Sequence, residues 1–240
     1  MKIAFIADIH GNAVALENVL ADIHKKHLDK IYVLGDLCYR CPEPKRVLDL
    51  IRALNTEVIK GNADEWVVRG VRRGEVPEKV FAMMNLERDW ILSQLEQTDL
   101  EYLAKLPTEI NLDIEGVAIH LFHATPDSLF EAVLPNVDDE TMHSKLMSSK
   151  KDAQIYIYGH IHKPFIRYLK GKVVMNTGSV GLPHDGLAFA SYAIVEIAAG
   201  NISTSIERVS YDIEKVVEQY IKLKYPNAEM MIKVLRNASV

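Results

Sequence analysis

The first part of the chain alternates short apolar runs with longer segments in which apolar residues recur every three or four positions. The runs IAFIAD and IYVLGD have the length and the apolar content of buried strands. Between them, AVALENVLADIHKKH has the spacing of an amphipathic helix. These segments predict a β-α-β unit, followed by a helix around PKRVLDLIRAL and a short strand at TEVIKGN.

The middle of the chain is predicted to be mainly helical from about residue 64 to residue 106. This stretch contains both tryptophans, Trp66 and Trp90. We interpret it as a helical cap or insertion within a single domain that covers residues 1–240.

The second half of the chain has a different pattern, with many short strands. The predicted strands are EINLDI, GVAIHLFHA, AQIYIYGH, PFIRYLKG, KVVMNTGS, FASYAIVEI and ISTSIERVS, and a helix is predicted from about Asp212. The order of elements therefore predicts an α/β protein with two runs of strands.

Composition narrows the class of protein. The 240 residues are 48% hydrophobic and no Pro/Gly/Ser-rich linker divides them, which is typical of one sizeable core. The net charge is −5 with both signs intermixed, so nothing indicates an extended nucleic-acid surface. No leader and no membrane-spanning run is evident, which predicts a cytoplasmic protein. Any phosphate-bearing partner would have to be held locally, and a homo-oligomer is compatible with these features.

Two cysteines, Cys38 and Cys41, form an isolated Cys-x-x-Cys pair. Two thiols cannot complete a four-ligand zinc site by themselves, and one pair is not a disulfide framework. We expect reduced thiols. A redox protein that uses this pair stays an alternative, although the pair does not open a helix, where a thiolate would be stabilised.

Potential metal ligands recur where predicted strands end. Five such ends carry seven side chains: Asp8, His10, Asp36, Asn62, His123, His160 and His162. Taken alone, the first pair would be typical of a turn with a helix cap, and the last pair of a surface. Taken together, they are expected to meet in one crevice at the edge of an α/β sheet.

The chemistry of these ligands favours a particular kind of metal site. Carboxylate, amide and imidazole groups without thiolate suit borderline divalent ions, with Mn²⁺ first and Fe²⁺, Zn²⁺, Co²⁺ or Ni²⁺ as alternatives. Seven ligands are too many for one ion that keeps an open position, so two ions are expected. Asp36 is the natural bridge, and a water held between the ions would become the nucleophile.

The motifs DIH, GDLCYRC, GNAD, LFHA and GHIH, in this order over residues 8–162, resemble the calcineurin-like metallophosphoesterase superfamily. NTGSVGLP at 176–183 resembles the strand and loop that follow in its bacterial and archaeal small phosphodiesterase branch. The resemblance implies a four-layer α-β-β-α sandwich of two mixed sheets. It also implies that Asp8, His10 and His162 hold one ion, that Asn62, His123 and His160 hold the other, and that Asp36 holds both.

The resemblance further implies functional roles. We expect catalysis from Asp36, Asn62 and Arg40, and substrate contacts from Arg40, Asn62, Gly178 and His184. Arg40 matches the family's phosphate-contacting arginine, whose planar charge suits phosphoryl oxygens. The protein-phosphatase branch carries an Asp and a His as an acid pair where this chain has Tyr39 and Ala63.

These features predict a metal-dependent hydrolase of phosphodiester or phosphoanhydride bonds. A nucleoside or dinucleoside polyphosphatase and a protein phosphatase are alternatives within the enzyme class. A non-catalytic scaffold with the same fold is an alternative of another class. Without the acid pair, stable leaving groups are expected to depart far more readily than alkoxides.

Overall fold

The computed structural model describes residues 1–147 and 152–239. Its strands are β1 Lys2–Ile6, β2 Lys30–Val33, β3 Glu109–Ile114, β4 Val117–Phe122, β5 Ile155–Tyr158, β6 Phe165–Leu169, β7 Lys172–Asn176, β8 Ala190–Ala198 and β9 Asn201–Val209. Its helices are α1 Ala13–Lys25, α2 Pro44–Ala53, α3 Asn62–Arg69, α4 Glu78–Leu92, α5 Gln97–Lys105, α6 Asp139–Leu146, α7 Ile213–Lys222 and α8 Ala228–Asn237.

The strands form two mixed sheets. The first has the order β2-β1-β8-β9 and the second the order β3-β4-β5-β7-β6. β1 runs parallel to β2 and antiparallel to β8, and β5 runs parallel to both β4 and β7. Each sheet therefore combines parallel and antiparallel pairs, as predicted.

Alternation along the strands divides the core into layers. In β1, Ile3 and Phe5 pack between the sheets, whereas Ile6 packs against the helices around α1. In β5, Ile157 faces the layer between the sheets and Tyr158 faces a third cluster around α6. Because successive side chains point to opposite faces of a strand, each sheet separates two apolar layers. The result is the predicted α-β-β-α sandwich.

The predicted strand TEVIKGN is reduced to a single bridge between Val58 and Val33. The backbone follows β2 only briefly, since the amide of Ile59 donates to Val33 and the next amide, that of Lys60, donates to the carbonyl of Pro107 instead. The prediction of a regular strand is wrong here. The segment serves to deliver Asn62 to the start of α3.

The predicted helical stretch at 64–106 contains α3, α4 and α5, and α3 begins two residues earlier than predicted. Their buried side chains Val67, Met84, Ile91 and Leu103 belong to the same cluster as the apolar faces of α1 and α2. The stretch is thus helical and packs into the main core. Its interpretation as a cap stays a prediction.

The predicted C-terminal helix consists of two helices. Asp212 caps α7 by accepting a hydrogen bond from the amide of Lys215 at 3.0 Å, and the chain breaks near Pro226, which cannot continue a helix. Both helices pack against Cys41 and Leu182. Within residues 1–147 and 152–239, no helix is long and apolar enough to cross a bilayer.

Candidate metal centre

The seven predicted metal ligands lie at one edge of the two sheets. Asp8 and His10 follow β1, Asp36 follows β2, Asn62 opens α3, His123 follows β4, and His160 and His162 follow β5. β1 is parallel to β2, and β4 is parallel to β5. The carboxyl ends of parallel strands meet at one edge, so the topology brings side chains from distant parts of the sequence together.

The backbone is unusual at these positions. Five of the seven residues have left-handed φ angles: Asp8 at +54°, His10 at +55°, Asp36 at +56°, His160 at +69° and His162 at +55°. A non-glycine residue in this region costs on the order of 1–3 kcal/mol, and such residues cluster at functional sites. Asp and His tolerate the region better than most residues, but the surrounding structure must still hold them there.

Two glycines let the backbone pass directly against the carboxylates. A methyl group on Gly61 would lie 2.0 Å from Oδ1 of Asp36, and one on Gly159 would lie 2.6 Å from Oδ2 of Asp8. These close approaches allow backbone amides to donate to the same oxygens, from Ala63 to Asp36 at 2.7 Å and from His160 to Asp8 at 2.9 Å. The carboxylates are therefore fixed in orientation.

One group of ligands consists of Asp8, His10, Asp36 and His162, whose ligand atoms all lie within 4.8 Å of one another. Nε2 of His162 is 3.3 Å from Oδ1 of Asp8, and Nε2 of His10 is 3.6 Å from Oδ2 of Asp36. All four side chains are buried. The group is compact enough to hold one ion.

The hydrogen bonds of this group leave its lone pairs facing each other. Nδ1 of His10 donates to the carbonyl of Tyr39 at 2.9 Å, and Nδ1 of His162 donates to the carbonyl of Leu182 at 2.5 Å. In the neutral rings both Nε2 atoms are then acceptors, and they lie 3.0 Å apart. Oδ1 of Asp8 is buried and has no hydrogen-bond partner among the described residues. Acceptors that converge without a donor fit a cation, and backbone carbonyls that fix the tautomer are typical of metal-binding histidines.

A second group surrounds Asn62. Its Oδ1 lies 2.9 Å from Nε2 of His123 and 2.8 Å from Nδ1 of His160. Nδ1 of His123 donates to the carbonyl of Leu34 at 2.7 Å, so its Nε2 also presents a lone pair in the neutral ring. Asp36 reaches this group as well, since its Oδ1 is 3.5 Å from Nε2 of His123.

Burial and neighbouring charges set the protonation of these groups. Burial lowers the pKa of His10 to about 4 and that of His160 to about 4, which keeps both rings neutral. Burial opposes ionisation of Asp36, but His123 and then His10 outweigh it and lower the pKa of the Asp36 carboxyl. His123 is the exception, because the Asp36 carboxylate overcomes burial and raises the pKa of His123 to about 10. A bound cation would displace that proton.

Asp64 is a buried residue that the sequence reasoning did not single out. Its Oδ2 accepts hydrogen bonds from the amides of Asp36 at 2.8 Å and Gly61 at 2.9 Å, and its Oδ1 accepts one from Leu37 at 2.9 Å. Burial and then the Asp36 carboxylate raise the pKa of Asp64 to about 7. An acidic residue at the third position of a helix, where it can cap the preceding amides, is the signal that could have found it.

A cavity of about 180 Å³ opens beside the ligands and has two walls. The polar wall consists of His10, Asp36, Arg40, Asn62, His160, His162 and His184. The apolar wall consists of Tyr39, Ala63, Trp66, Leu182, Met230, Met231 and Val234, and the sequence reasoning missed it as a surface of the site. The last three residues belong to α8, so the C-terminal helix borders the cavity.

The predicted substrate contacts separate into two kinds. Arg40 and His184 line the cavity, and the ring of His184 stacks on that of His162 at 4.2 Å between centroids. Burial and then His162 lower the pKa of His184 to about 2. Gly178 is buried in a turn with φ of +70°, its amide donates to Oδ1 of Asn176 at 2.9 Å, and it does not line the cavity. The amide of Gly178 is therefore engaged by the fold, and the predicted role of Gly178 as a substrate contact stays a prediction.

Tyr39 and Ala63, which replace the acid pair, have structural contacts. The hydroxyl of Tyr39 donates to the carbonyl of Met84 at 2.5 Å, and its ring packs against Trp66. The buried position of Tyr39 ties α4 to the loop after β2. The proton of the Tyr39 hydroxyl is used in the hydrogen bond to Met84, and Ala63 has no proton to give, so neither side chain replaces the acid pair.

Both cysteines are free and buried. Burial raises the pKa of Cys38, and burial also raises the pKa of Cys41 to about 12. A buried thiol with a raised pKa is a poor nucleophile, so the thiol-redox alternative finds no support in the structure.

Comparison with known proteins agrees with this geometry. Residues 1–200 match the model of the calcineurin-like phosphoesterase superfamily domain. The uncharacterized protein MJ0912 of Methanocaldococcus jannaschii is 31% identical over 241 residues, which covers 93% of each chain. The crystal structure of a metallophosphoesterase from Sphaerobacter thermophilus matches with 26% identity, a TM-score of 0.80 and 99% coverage of both chains. That of hypothetical protein PH1004 from Pyrococcus horikoshii OT3 matches with 24% identity, a TM-score of 0.83, and coverage of 98% of this chain and 97% of the other.

The chain belongs to the calcineurin-like phosphoesterase superfamily. This is a metal-dependent family of phosphoesterases, and the Asp and His cluster described above is of the kind that could bind metal.

Proposed function

We propose that the protein hydrolyses phosphodiester or phosphoanhydride bonds with two divalent metal ions, of which Mn²⁺ is the first candidate. The observation that carries this proposal is the position of the Asp36 carboxylate. One of its oxygens is 3.6 Å from Nε2 of His10 and the other is 3.5 Å from Nε2 of His123. A carboxylate between two groups of acceptors suits a bridge between two cations, because it reduces their mutual repulsion.

The residues fall into two proposed sets. Asp8, His10 and His162 would hold one ion, Asn62, His123 and His160 would hold the other, and Asp36 would touch both. When bound, the ions supply charge for the phosphoryl oxygens and lower the pKa of a water to make a nucleophile at neutral pH. The protein fixes the ligands by the carbonyls of Tyr39, Leu182 and Leu34, which accept from the histidine rings.

Arg40 is proposed to bind the phosphoryl group. Its guanidinium is a cationic group in the cavity lining and can donate two parallel hydrogen bonds to phosphoryl oxygens. His184 is proposed to contact the same group in its neutral form. Since its pKa is lowered to about 2, it has no extra proton to give to a leaving group near pH 7.

The two walls of the cavity favour a certain kind of substrate. Tyr39 and Ala63 offer no acid, so a bond whose leaving oxygen is already a stable anion is favoured over an alkyl ester. The apolar wall, with Trp66, Met230 and Met231, would leave the hydroxyl groups of a polyol without partners. An aryl or nucleoside group fits it better, because rings stack on tryptophan and contact methionine sulfur favourably.

Nucleoside polyphosphate hydrolysis is a second candidate that these observations favour, since it combines an anhydride leaving group with a base. A phosphorylated protein side chain is not favoured, because its leaving group is an alkoxide for the serine and threonine esters. The single-domain arrangement, with residues 64–106 as a cap over the site, is part of the proposal.

The test is a substrate panel in the presence of Mn²⁺, Zn²⁺, Co²⁺ or Ni²⁺. We expect hydrolysis of methyl p-nitrophenyl phosphate and of nucleoside polyphosphates, with phosphoserine and dialkyl diesters slower by about 10²–10⁴-fold. Metal content measured on the same samples should approach two ions per chain. Full metal binding without hydrolysis of any ester would favour the scaffold, and equal rates for aryl and alkyl esters would mean that an acid is present after all.

A further inference from the structure

The C-terminal helices α7 and α8 lie beyond the family match at residues 1–200, yet they reach the candidate site. Tyr220 of α7 donates a hydrogen bond from its hydroxyl to the carbonyl of Arg40 at 2.8 Å. Met231 of α8 places its sulfur 3.8 Å from Nη1 of Arg40. These helices therefore contact both the backbone and the side chain of the arginine proposed to bind phosphate.

The backbone of Arg40 needs such support. Its φ is +90°, a left-handed conformation that is costly for a residue with a side chain. A residue held there persists only when its surroundings over-determine it. For Arg40 the carbonyl is held by Tyr220, a contact 180 positions away along the chain.

The residues on either side of Arg40 are tied to the metal ligand His10. The carbonyl of Tyr39 accepts from Nδ1 of His10 at 2.9 Å, and the amide of Cys41 donates to the carbonyl of His10 at 2.7 Å. Residues 39–41 are thus hydrogen-bonded to His10 at two points, and Tyr220 donates to the carbonyl of Arg40 between them. These three contacts together fix the backbone from which the Arg40 side chain extends.

The hydroxyl of Tyr220 is well suited to this task. Its ring is fully buried among the side chains that join α7 and α8 to Cys41 and Leu182, and its hydroxyl is 3.1 Å from Sγ of Cys41. Loss of the hydroxyl would remove the donor that Tyr220 provides to the Arg40 carbonyl.

We propose that Tyr220 is a positioning residue that fixes the backbone of Arg40 and thereby aims its guanidinium at the phosphoryl group. The two C-terminal helices then complete the phosphate-binding site of the domain that the family match covers. This proposal rests on the proposed function, specifically on the assignment of Arg40 to the phosphoryl group.

The test compares Tyr220→Phe with the matched control Tyr225→Phe. Both variants remove one buried hydroxyl from the same cluster, but only the hydroxyl of Tyr220 bonds to the carbonyl of Arg40. The readouts are metal content, calorimetric binding of inorganic phosphate to the Mn²⁺-loaded protein, and kcat and KM for methyl p-nitrophenyl phosphate. We expect Tyr220→Phe to bind phosphate about 5–20-fold more weakly with unchanged metal content, and Tyr225→Phe to match the wild type.

A double-mutant cycle separates positioning from a general loss of structure. In an Arg40→Ala background, Tyr220→Phe should have no further effect on phosphate binding. An equal loss in both backgrounds, or an equal loss in Tyr225→Phe, would overturn the proposal. If Arg40→Ala alone leaves phosphate binding unchanged, the role of Arg40 in the proposed function is wrong, and the role of Tyr220 with it. If the wild type binds phosphate through Arg40 but hydrolyses no ester, only the proposed catalytic activity is wrong.

Discussion

The two walls of the cavity are built on different principles. The polar wall comes largely from loops that follow strands, and five of its residues have left-handed φ angles: His10, Asp36, Arg40, His160 and His162. The apolar wall comes largely from α3 and α8, whose side chains Trp66, Met230 and Val234 belong to regular helices. One wall has converging polar side chains on strained backbone, and the other is ordinary apolar surface.

This difference shows how chemistry and selectivity are divided in the molecule. In the proposed function the polar wall sets which reaction is possible, because its residues would hold the ions. The apolar wall adjusts which substrate fits, since exchanging one apolar side chain for another alters size and affinity without touching the ligands. Variants on the two walls should therefore differ in kind as well as in size.

The largest effect is expected from Asp36→Asn on the polar wall. This change removes the charge that lies between His10 and His123 while it keeps the shape of the side chain. If several kcal/mol of charge stabilisation are lost, kcat/KM should fall by about 10²–10⁴-fold. The measurements are kcat/KM, metal content and circular dichroism. Near-normal turnover with full metal content would exclude the bridging role.

A smaller effect is expected from Asp64→Asn. The asparagine side chain keeps one acceptor oxygen. It loses the other of the two oxygens that accept from the backbone amides of Asp36, Leu37 and Gly61. Partners that orient metal ligands typically contribute about 10–100-fold to metal affinity or activity. Metal titration should show this loss, whereas the same change at Asp49, an exposed aspartate of α2, should leave affinity at the wild-type value.

The apolar wall should respond through selectivity. Met230→Gln keeps the length of the side chain but adds an amide, so it should reduce the preference for bis(p-nitrophenyl) phosphate over methyl p-nitrophenyl phosphate. We expect a change of roughly 3–10-fold in this ratio, which corresponds to about one or two buried methylene groups. Met83→Gln, on a part of α4 that does not line the cavity, is the control. An unchanged ratio in Met230→Gln would mean that the second ester group lies elsewhere.

The smallest effect concerns stability and pH. Glu87 of α4 is buried, its Oε1 accepts from Asn227 at 3.2 Å, and its Oε2 has no partner among the described residues. Burial raises the pKa of Glu87, so the folded state is penalised as pH rises above the carboxyl's ordinary value. Relative to the wild type, Glu87→Gln should therefore increase the free energy of unfolding more at pH 8 than at pH 5, by on the order of 1 kcal/mol.

Thermal unfolding of the metal-free protein at several pH values would measure this difference, since 1 kcal/mol shifts Tm by about 2–4 °C at this size. Glu78→Gln, an exposed glutamate on the same helix, should show little dependence on pH. A Glu87→Gln variant that is less stable than the wild type at pH 8 would contradict the prediction.

The same contrast explains what could be predicted from the sequence. Each ligand of the polar wall follows an apolar run, and the order of DIH, GNAD and GHIH is a local pattern that a single sequence displays. The apolar wall joins residue 66 to residues 230–234, and nothing in their spacing relates them. Helix α8 itself was predictable in kind, but its separation from α7 depends on Pro226, which the predicted continuous helix overlooked.

One error has a clear physical origin. TEVIKGN has the composition of a strand, but Lys60 donates to Pro107 instead of extending the pairing with β2. A tertiary hydrogen bond thus decided how the backbone was used, and such bonds are not visible in the pattern of residues.

The left-handed φ angles of the proposed metal ligands also bear on how such a protein could lose its activity over evolutionary time. At Asp8, His10, Asp36, His160 and His162, glycine would relieve the backbone of a conformation that costs stability, while it deleted a ligand. A substitution that inactivates the protein at these positions would therefore also remove backbone strain, as in other trade-offs between stability and activity. A descendant released from selection for hydrolysis would be expected to lose these side chains early and still fold.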